Sequence, residues 1–240
     1  KTTRLADGHE YGMPWNVVEN CLFYNKDMFD EAGVPYPDET WTWDTLSDVA
    51  IQLTDASKNQ YGFSMTVSDE TAFDSLVYSY GGAIVSDDLK ECLIDQQGAV
   101  DAINYLRGMI LDDKCMAPIS EDSSGIINFS TGLVAITVDG CWSLETMATA
   151  SNLNWDIAPI PSGPAGSTPR AWSDSICITK SCEDPETAWN FIKFLVSKDG
   201  QTNANLTSTR IPVYIPASLS DSSLKCDKVL CNLQVLIDEL

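Results

Sequence analysis

The sequence predicts an α/β fold. Strand-length apolar runs alternate along the chain with stretches of helical periodicity. Helix-starting and helix-stopping residues stand at the ends of those stretches. No internal repeat and no low-complexity tract interrupts the alternation.

The elements follow in order. Cys21–Asn25 reads as a strand, and Lys26–Ala32 as a short helix stopped by Gly33 and Pro35. Thr42 is placed to cap a helix over Trp43–Ala56, with Asp44 facing the positive helix end. Trp43, Leu46, Val49, Ala50 and Leu53 share one face of it. Tyr61–Met65 reads as a strand. Asp69–Tyr80 reads as a helix that stops at Gly81-Gly82. Gln97–Leu111 is helical, with Val100, Ile103, Tyr105, Leu106 and Ile110 as apolar positions. Val134–Asp139 is a strand closed by Gly140, and Trp155–Ile160 a strand ended by Pro161 and the loop Ser162–Ser167. Ser175–Thr179 is a further strand. Asp184-Pro185-Glu186 opens a helix with a cap and proline in its first turn. Its expected buried face is Ala188, Phe191, Ile192, Leu195 and Val196. Val229–Leu240 is apolar at helical spacing to the last residue, which suggests a chain cut inside a larger protein.

Composition removes several function classes. Fourteen Lys and Arg stand against 35 Asp and Glu, a formal charge of −21, so no basic face is available for nucleic acid. Hydrophobic residues reach 44%, enough for a packed core and too many for a disordered acidic tail. The longest apolar run, near Leu133–Val138, is strand length, far from the roughly 18 residues of a membrane span. The single histidine, His9, leaves no His-rich metal site and no second histidine for a relay. No phosphate-binding G-x-x-x-x-G-K-[ST] loop and no G-x-S-x-G elbow is present. No cofactor or metal is called for. The acidic pairs Asp87-Asp88, Asp112-Asp113 and Glu121-Asp122 read as solvated surface, since they lack the calcium-loop pattern. The sequons at Asn128 and Asn205 carry weight only in a eukaryotic secretory protein. Eight cysteines, none spaced C-x-x-C, read as buried thiols or as one to three disulfides of an exported protein. Cys177/Cys182 and Cys226/Cys231 are near in sequence, but spacing does not settle pairing.

A more specific signal lies in the order of several segments. Asp7-Gly8-His9-Glu10-Tyr11-Gly12-Met13-Pro14-Trp15-Asn16 is followed by Leu22-Phe23-Tyr24-Asn25-Lys26-Asp27-Met28-Phe29 and then by Thr42-Trp43-Asp44-Thr45-Leu46. Gly132–Trp142, Trp155–Pro161 and Asp184–Leu195 complete the series. Together, over about residues 7–216, they resemble the extracellular solute-binding proteins of ABC importers, in the sugar-binding group that includes maltose-binding protein. The resemblance implies an α/β, periplasmic-binding-protein-like fold of type II. Residues 21–155 plus 211–240 would form the second lobe, and 1–20 plus 156–210 a partial first lobe and crossover segments. Members usually carry more chain before Lys1 and after Pro216, so the resemblance implies truncation at both ends and an incomplete cleft. It further implies a non-enzymatic carbohydrate binder that works with membrane permease subunits, extracellular or periplasmic, and membrane-associated only by a lipid anchor or the permease. Neutral ligands need no basic pocket, so the acidic charge does not oppose this.

Sugars present apolar C–H faces and a hydroxyl rim, and are held by aromatic stacking plus groups that donate and accept. Trp15 and Asn16 stand after Pro14, and Trp172 lies in a polar loop end. The resemblance adds Trp142 as a stacking position, and Glu19 and Asn20 on the crossing segment. It also adds Asp74 and Tyr78 on a bordering helix, and Arg210 before a proline turn. Asp139 precedes Gly140 at the strand end. Packing or solvated roles compete at every one of these positions. Trp41, Trp43 and Trp189 read as packing. Two other functions stay open. One is a glycoside hydrolase, which needs two carboxylates about 5–5.5 Å or 6.5–9.5 Å apart. The other is an interaction module that carries an exposed apolar patch.

Overall fold

The structure, a computed structural model, describes residues 7–67, 72–119, 125–150, 152–205, 210–219 and 232–238. It divides into two compact units, one of residues 1–19 with 171–240 and the other of residues 20–170.

The unit of 20–170 is built on β2 (Asn16–Asn25), whose second half runs at the centre of a sheet ordered β3-β4-β2-β5. β3 is Tyr61–Met65, β4 is Val134–Gly140 and β5 is Trp155–Ala158. β4 and β5 flank β2 antiparallel, with Leu22 opposite both Val138 and Ala158, and β3 runs parallel to β4. Cys21, Leu22, Phe23 and Tyr24 are all buried, so both faces of β2 are covered, and a strand covered on both faces reads as a continuous apolar run. Helices α1 (Lys26–Ala32), α2 (Trp43–Gln52), α3 (Ala72–Ser79), α4 (Gln97–Arg107), α5 (Gly125–Ser130) and α6 (Leu144–Met147) complete the unit. α2 packs on β3, α3 and α5 pack on β4, and α4 packs on α3. Leu22, Phe29, Trp43, Leu46, Phe63, Leu76 and Ile136 are wholly or almost wholly buried in one core.

Local chemistry sets the helix ends. Asn25 accepts from the Asp27 and Met28 amides at the start of α1, and Gly33 closes it at φ 68°. Thr42 accepts from the Thr45 amide, as its sequence position predicts. α2 ends at Gln52, short of the expected Ala56. Asp55 caps a separate short turn at Ala56–Lys58 through the Ser57 amide. Thr54 meanwhile donates to the Ala50 carbonyl and accepts from the Gly62 amide. α4 likewise stops at Arg107 and passes into a wider π turn over Gly108–Asp112. Its buried positions are Ala99, Ala102 and Leu106, while Ile103 is exposed.

In the other unit, β1 (Met13–Pro14) pairs with β7 (Ser175–Ile176). The start of β2 pairs with β6 (Ala171–Trp172) and β8 (Ile211–Pro212). The expected strand at Ser175–Thr179 is thus two residues long, and β2 begins five residues before the expected Cys21. Its early residues pair only with distant strands and are polar at Asn16 and Glu19, so a local reading misses them. α7 (Pro185–Leu195), α8 (Lys198–Asn205), α9 (Ile215–Ser218) and α10 (Gln234–Asp238) follow. Asp184 caps α7 by accepting from the Thr187 amide. The expected buried face of α7 is formed in part, with Ile192 buried, Ala188, Leu195 and Val196 half-buried and Phe191 60% exposed. Of the expected helix Val229–Leu240, Gln234–Asp238 is described. Residues 69–71, the Glu121-Asp122 pair, the second sequon beyond Asn205, and Cys226 and Cys231 lie outside the described residues.

The segment 156–170 belongs to the unit of 20–170, because Trp155–Ala158 pairs with β2. Residues 211–240 group with the opposite unit, where Ile211 pairs with Val17. Both groupings differ from those the sequence suggested.

The six described cysteines are thiols, and Cys177 and Cys182 do not pair with each other. Cys21, Cys115 and Cys141 are buried, while Cys92 and Cys177 are exposed. Burial pushes the Cys115 thiol up to about 11, where the reactive thiolate is scarce near neutrality. Site-resolved alkylation near pH 8 is expected to modify Cys92 and Cys177 promptly. Cys21, Cys115 and Cys141 should react only under denaturant. Prompt labelling of Cys115 would contradict the packing.

Candidate functional site

The ten sequence-predicted site residues fall five in each unit. Asn20, Asp74, Tyr78, Asp139 and Trp142 lie in the unit of 20–170, and Trp15, Asn16, Glu19, Trp172 and Arg210 in the other.

In the unit of 20–170, the register of β2 against β4 puts Asn20 opposite Gly140 and Cys21 opposite Asp139. The register thus sets the polar Asn20 and Asp139 next to each other on neighbouring strands. Asn20 is completely buried and Asp139 is 3% exposed. β4 then turns into a short helical segment at Cys141–Ser143, which carries the half-buried Trp142. The indole lies back over Gly140, where a Cβ would stand 1.9 Å from its ring. Only a residue without a side chain lets the ring occupy that position, so the Gly-Cys-Trp order is a steric requirement.

Burial raises the Asp139 carboxyl above its ordinary value. Hydrogen bonds from the Gly140 amide, the Ser143 side chain and the Ile126 backbone partly offset the rise. The Gly140 amide donates to Oδ1 at 2.7 Å. A raised folded value makes the protonated acid the form that favours folding. That contribution is complete below the unfolded value near 3.8 and is lost as pH rises through the folded value. Asp139→Asn removes the titration, so the stability of the variant relative to the parent is expected to fall as pH is lowered from 7 toward 4. Urea midpoints at several pH values measure this, and a variant that gains stability relative to the parent on acidification would contradict it.

On α3, Asp74 is 5% exposed and ion-paired with Arg170, and the neighbouring Ser75 is completely buried. Asn20 Nδ2 donates to Ser75 Oγ at 3.5 Å. Oδ1 of Asn20 and Oδ1 of Asp74 have no hydrogen-bond partner among the described residues. Tyr78, one turn after Asp74, is 41% exposed. It shares the helix with Asp74 but not its environment.

In the other unit, Asp174 is the organising residue. Asn16 Nδ2 donates to Asp174 Oδ2 at 3.0 Å, and the Asp174 amide donates back to Asn16 Oδ1 at 3.2 Å. Arg210 Nη1 donates to the same Oδ2 at 2.7 Å. Trp15 is half-buried, its amide bonded to the Asp174 carbonyl and its carbonyl to Gln201 Nε2. Gln201 is 1% exposed and also accepts from the Val213 amide at 2.9 Å. Trp172 lines an apolar groove of about 360 Å³ with Pro14, Val17, Ile211 and Ile215. Glu19 is completely buried.

Sequence reasoning named Asn16 and Arg210 but missed Asp174, which joins them, and Ser75, Arg170 and Gln201. Asp174 stood in the polar loop that holds Trp172, so its type was visible, but its partners lie 158 and 36 residues away. Among the described residues no group of three or more His, Cys, Asp or Glu is arranged to hold a metal ion. No described helix is long and apolar enough to cross a membrane.

Comparison with known proteins gives the family and the fold. A binding protein of Brucella abortus is 27% identical over 218 residues, 87% of this chain and 52% of its own length. A maltooligosaccharide ABC transporter solute-binding lipoprotein of Streptococcus pneumoniae is 25% identical, covering 88% of this chain and 51% of itself. The chain thus spans about half the length of the curated relatives it matches. Among solved structures, an ABC substrate-binding protein from Listeria monocytogenes in complex with cycloalternan superposes with a TM-score of 0.83 at 24% identity. That match covers 97% of this chain and 61% of the other. The fold is therefore α/β and periplasmic-binding-protein-like, of type II. A family model described as bacterial extracellular solute-binding protein matches residues 2–223, and the chain belongs to that family.

Proposed function

We propose that the chain is the carbohydrate-capturing part of an ABC sugar importer, binding an oligosaccharide or related polyol without chemical change. The observation that carries this is Trp142. Its half-buried indole is held against Gly140, beside the buried polar residues Asn20 and Asp139. An aromatic face next to fixed donors and acceptors is what a sugar's C–H face and hydroxyl rim require. Relatives described as maltooligosaccharide- and galactooligosaccharide-binding support the ligand class. Trp172 and its groove offer a second aromatic surface in the other unit.

Capture works by population shift, since a ligand favours whichever arrangement gives it contacts from both lobes. The loaded protein then delivers its sugar to membrane permease subunits. We place it outside the cytoplasmic membrane, periplasmic or as a surface lipoprotein, in keeping with the family's extracellular character. The fixed network Asn16–Asp174–Arg210 keeps the strand bearing Glu19 in register.

Calorimetric titration of the protein carrying this chain, with all flanking sequence its gene encodes, tests the proposal. The panel is maltose-, xylose- and mannose-type oligosaccharides and sugar alcohols. Saturable binding to at least one is expected, and silence across the panel would overturn the sugar assignment.

A further inference from the structure

The chain enters the unit of 20–170 at Asn20 and leaves it at Arg170. These two points lie side by side, since the Asn20 amide donates to the Arg170 carbonyl at 3.1 Å. Two consecutive residues of α3 hold both of them. Ser75 Oγ accepts from Asn20 Nδ2 at 3.5 Å and from the Arg170 amide at 3.1 Å. The Ser75 carbonyl accepts from Thr168 Oγ1 at 2.8 Å, just before the exit. The Asp74 carboxylate ion-pairs with the Arg170 guanidinium. Asn20 and Ser75 are completely buried and Asp74 nearly so, so solvent competes little for these bonds. A buried hydroxyl bonded to two separate chain segments fixes each relative to the other and both relative to its helix.

We propose that Asp74 and Ser75 form a clamp that fastens the incoming and outgoing chain segments to α3. Any bending of the chain at the crossings then leaves Asn20 and Arg170 together on α3. Asp74, placed by resemblance among ligand contacts, is on this reading a positioning residue that acts through Arg170. Two segments that move as one body turn two separate bends into a single shared one, which is what a directed hinge needs. The clamp is read from bonds within one unit and does not depend on which ligand binds.

The test is amide hydrogen exchange on the 240-residue chain, comparing the parent with Ser75→Ala and Asp74→Asn. The Asn20 and Arg170 amides are expected to exchange about tenfold faster in both variants. The Tyr61 amide, bonded to the Leu133 carbonyl, and the Ala117 amide, bonded to the Phe63 carbonyl, are expected to keep their parent rates. Unchanged exchange at Asn20 and Arg170 would overturn the clamp. Equal acceleration at all four amides would also overturn it, because the two residues would then support the whole core and not the crossings. If Ser75→Ala does not fold, Asp74→Asn, which keeps side-chain size, carries the test alone, with the Arg170 amide as its readout.

Discussion

Replacing Gly62 by alanine is expected to destabilise the protein by about 3 kcal/mol, at the upper end for overpacking a core. Gly62 lies in β3, where α2 crosses so closely that a Cβ would stand 1.9 Å from the Ala50 carbonyl oxygen and 2.5 Å from its Cα. These are backbone atoms of a helix whose Trp43, Leu46 and Ala50 are buried, so they cannot yield as the end of a long side chain can. The Gly62 amide also donates to Thr54 Oγ1 at 2.9 Å, and Thr54 in turn donates to Ala50. Pushing β3 away from α2 would break that bridge and open the core around Phe63. The denaturant midpoint reads the effect. A midpoint within about 0.5 kcal/mol of the parent, the usual range of a harmless surface change, would contradict the close approach.

The second large effect is expected at Gly140. In Gly140→Ala the added methyl would meet Trp142 ring atoms at 1.9–2.2 Å, so the ring must swing off the strand. Gly140 cannot retreat, because it lies opposite the buried Asn20 and its amide is bonded to Asp139. The near-UV circular dichroism should change while the far-UV signal of the sheet stays. Any sugar that the protein binds should lose affinity to a similar degree in Gly140→Ala and Trp142→Ala. The expected loss is about tenfold, matching roughly 1.4 kcal/mol of aromatic contact. Full affinity in Gly140→Ala would show that the position of the indole is irrelevant to binding.

Much of the unit of 20–170 is legible in its sequence because its signals are local. The Thr42 cap, the Gly33 stop and the apolar strands at Tyr61–Met65 and Val134–Asp139 each announce themselves within a few residues. What stays hidden is held by distant partners. The beginning of β2 looks like loop because Asn16 and Glu19 are polar, and it becomes a strand only through Pro212, Ile211, Trp172 and Ala171. Ser75 and Arg170 look like unremarkable polar residues until a chain loop of 95 residues brings them together. α7 departs in the opposite sense at one position. Phe191 belongs to its apolar face yet is exposed, because periodicity marks a face suited to burial and does not supply the surface that buries it.

Trp142 was legible as an aromatic after a strand, and its dependence on Gly140 was not, since the collision is a matter of ångströms. The direct measurement is saturation-transfer difference NMR on the protein with whichever panel sugar binds, irradiating aromatic ring protons. The ring C–H protons of the sugar are expected to gain saturation in the parent, and Trp142→Ala is expected to abolish most of that gain at equal occupancy. Undiminished transfer in Trp142→Ala would contradict the account, because the sugar would then rest on some other surface.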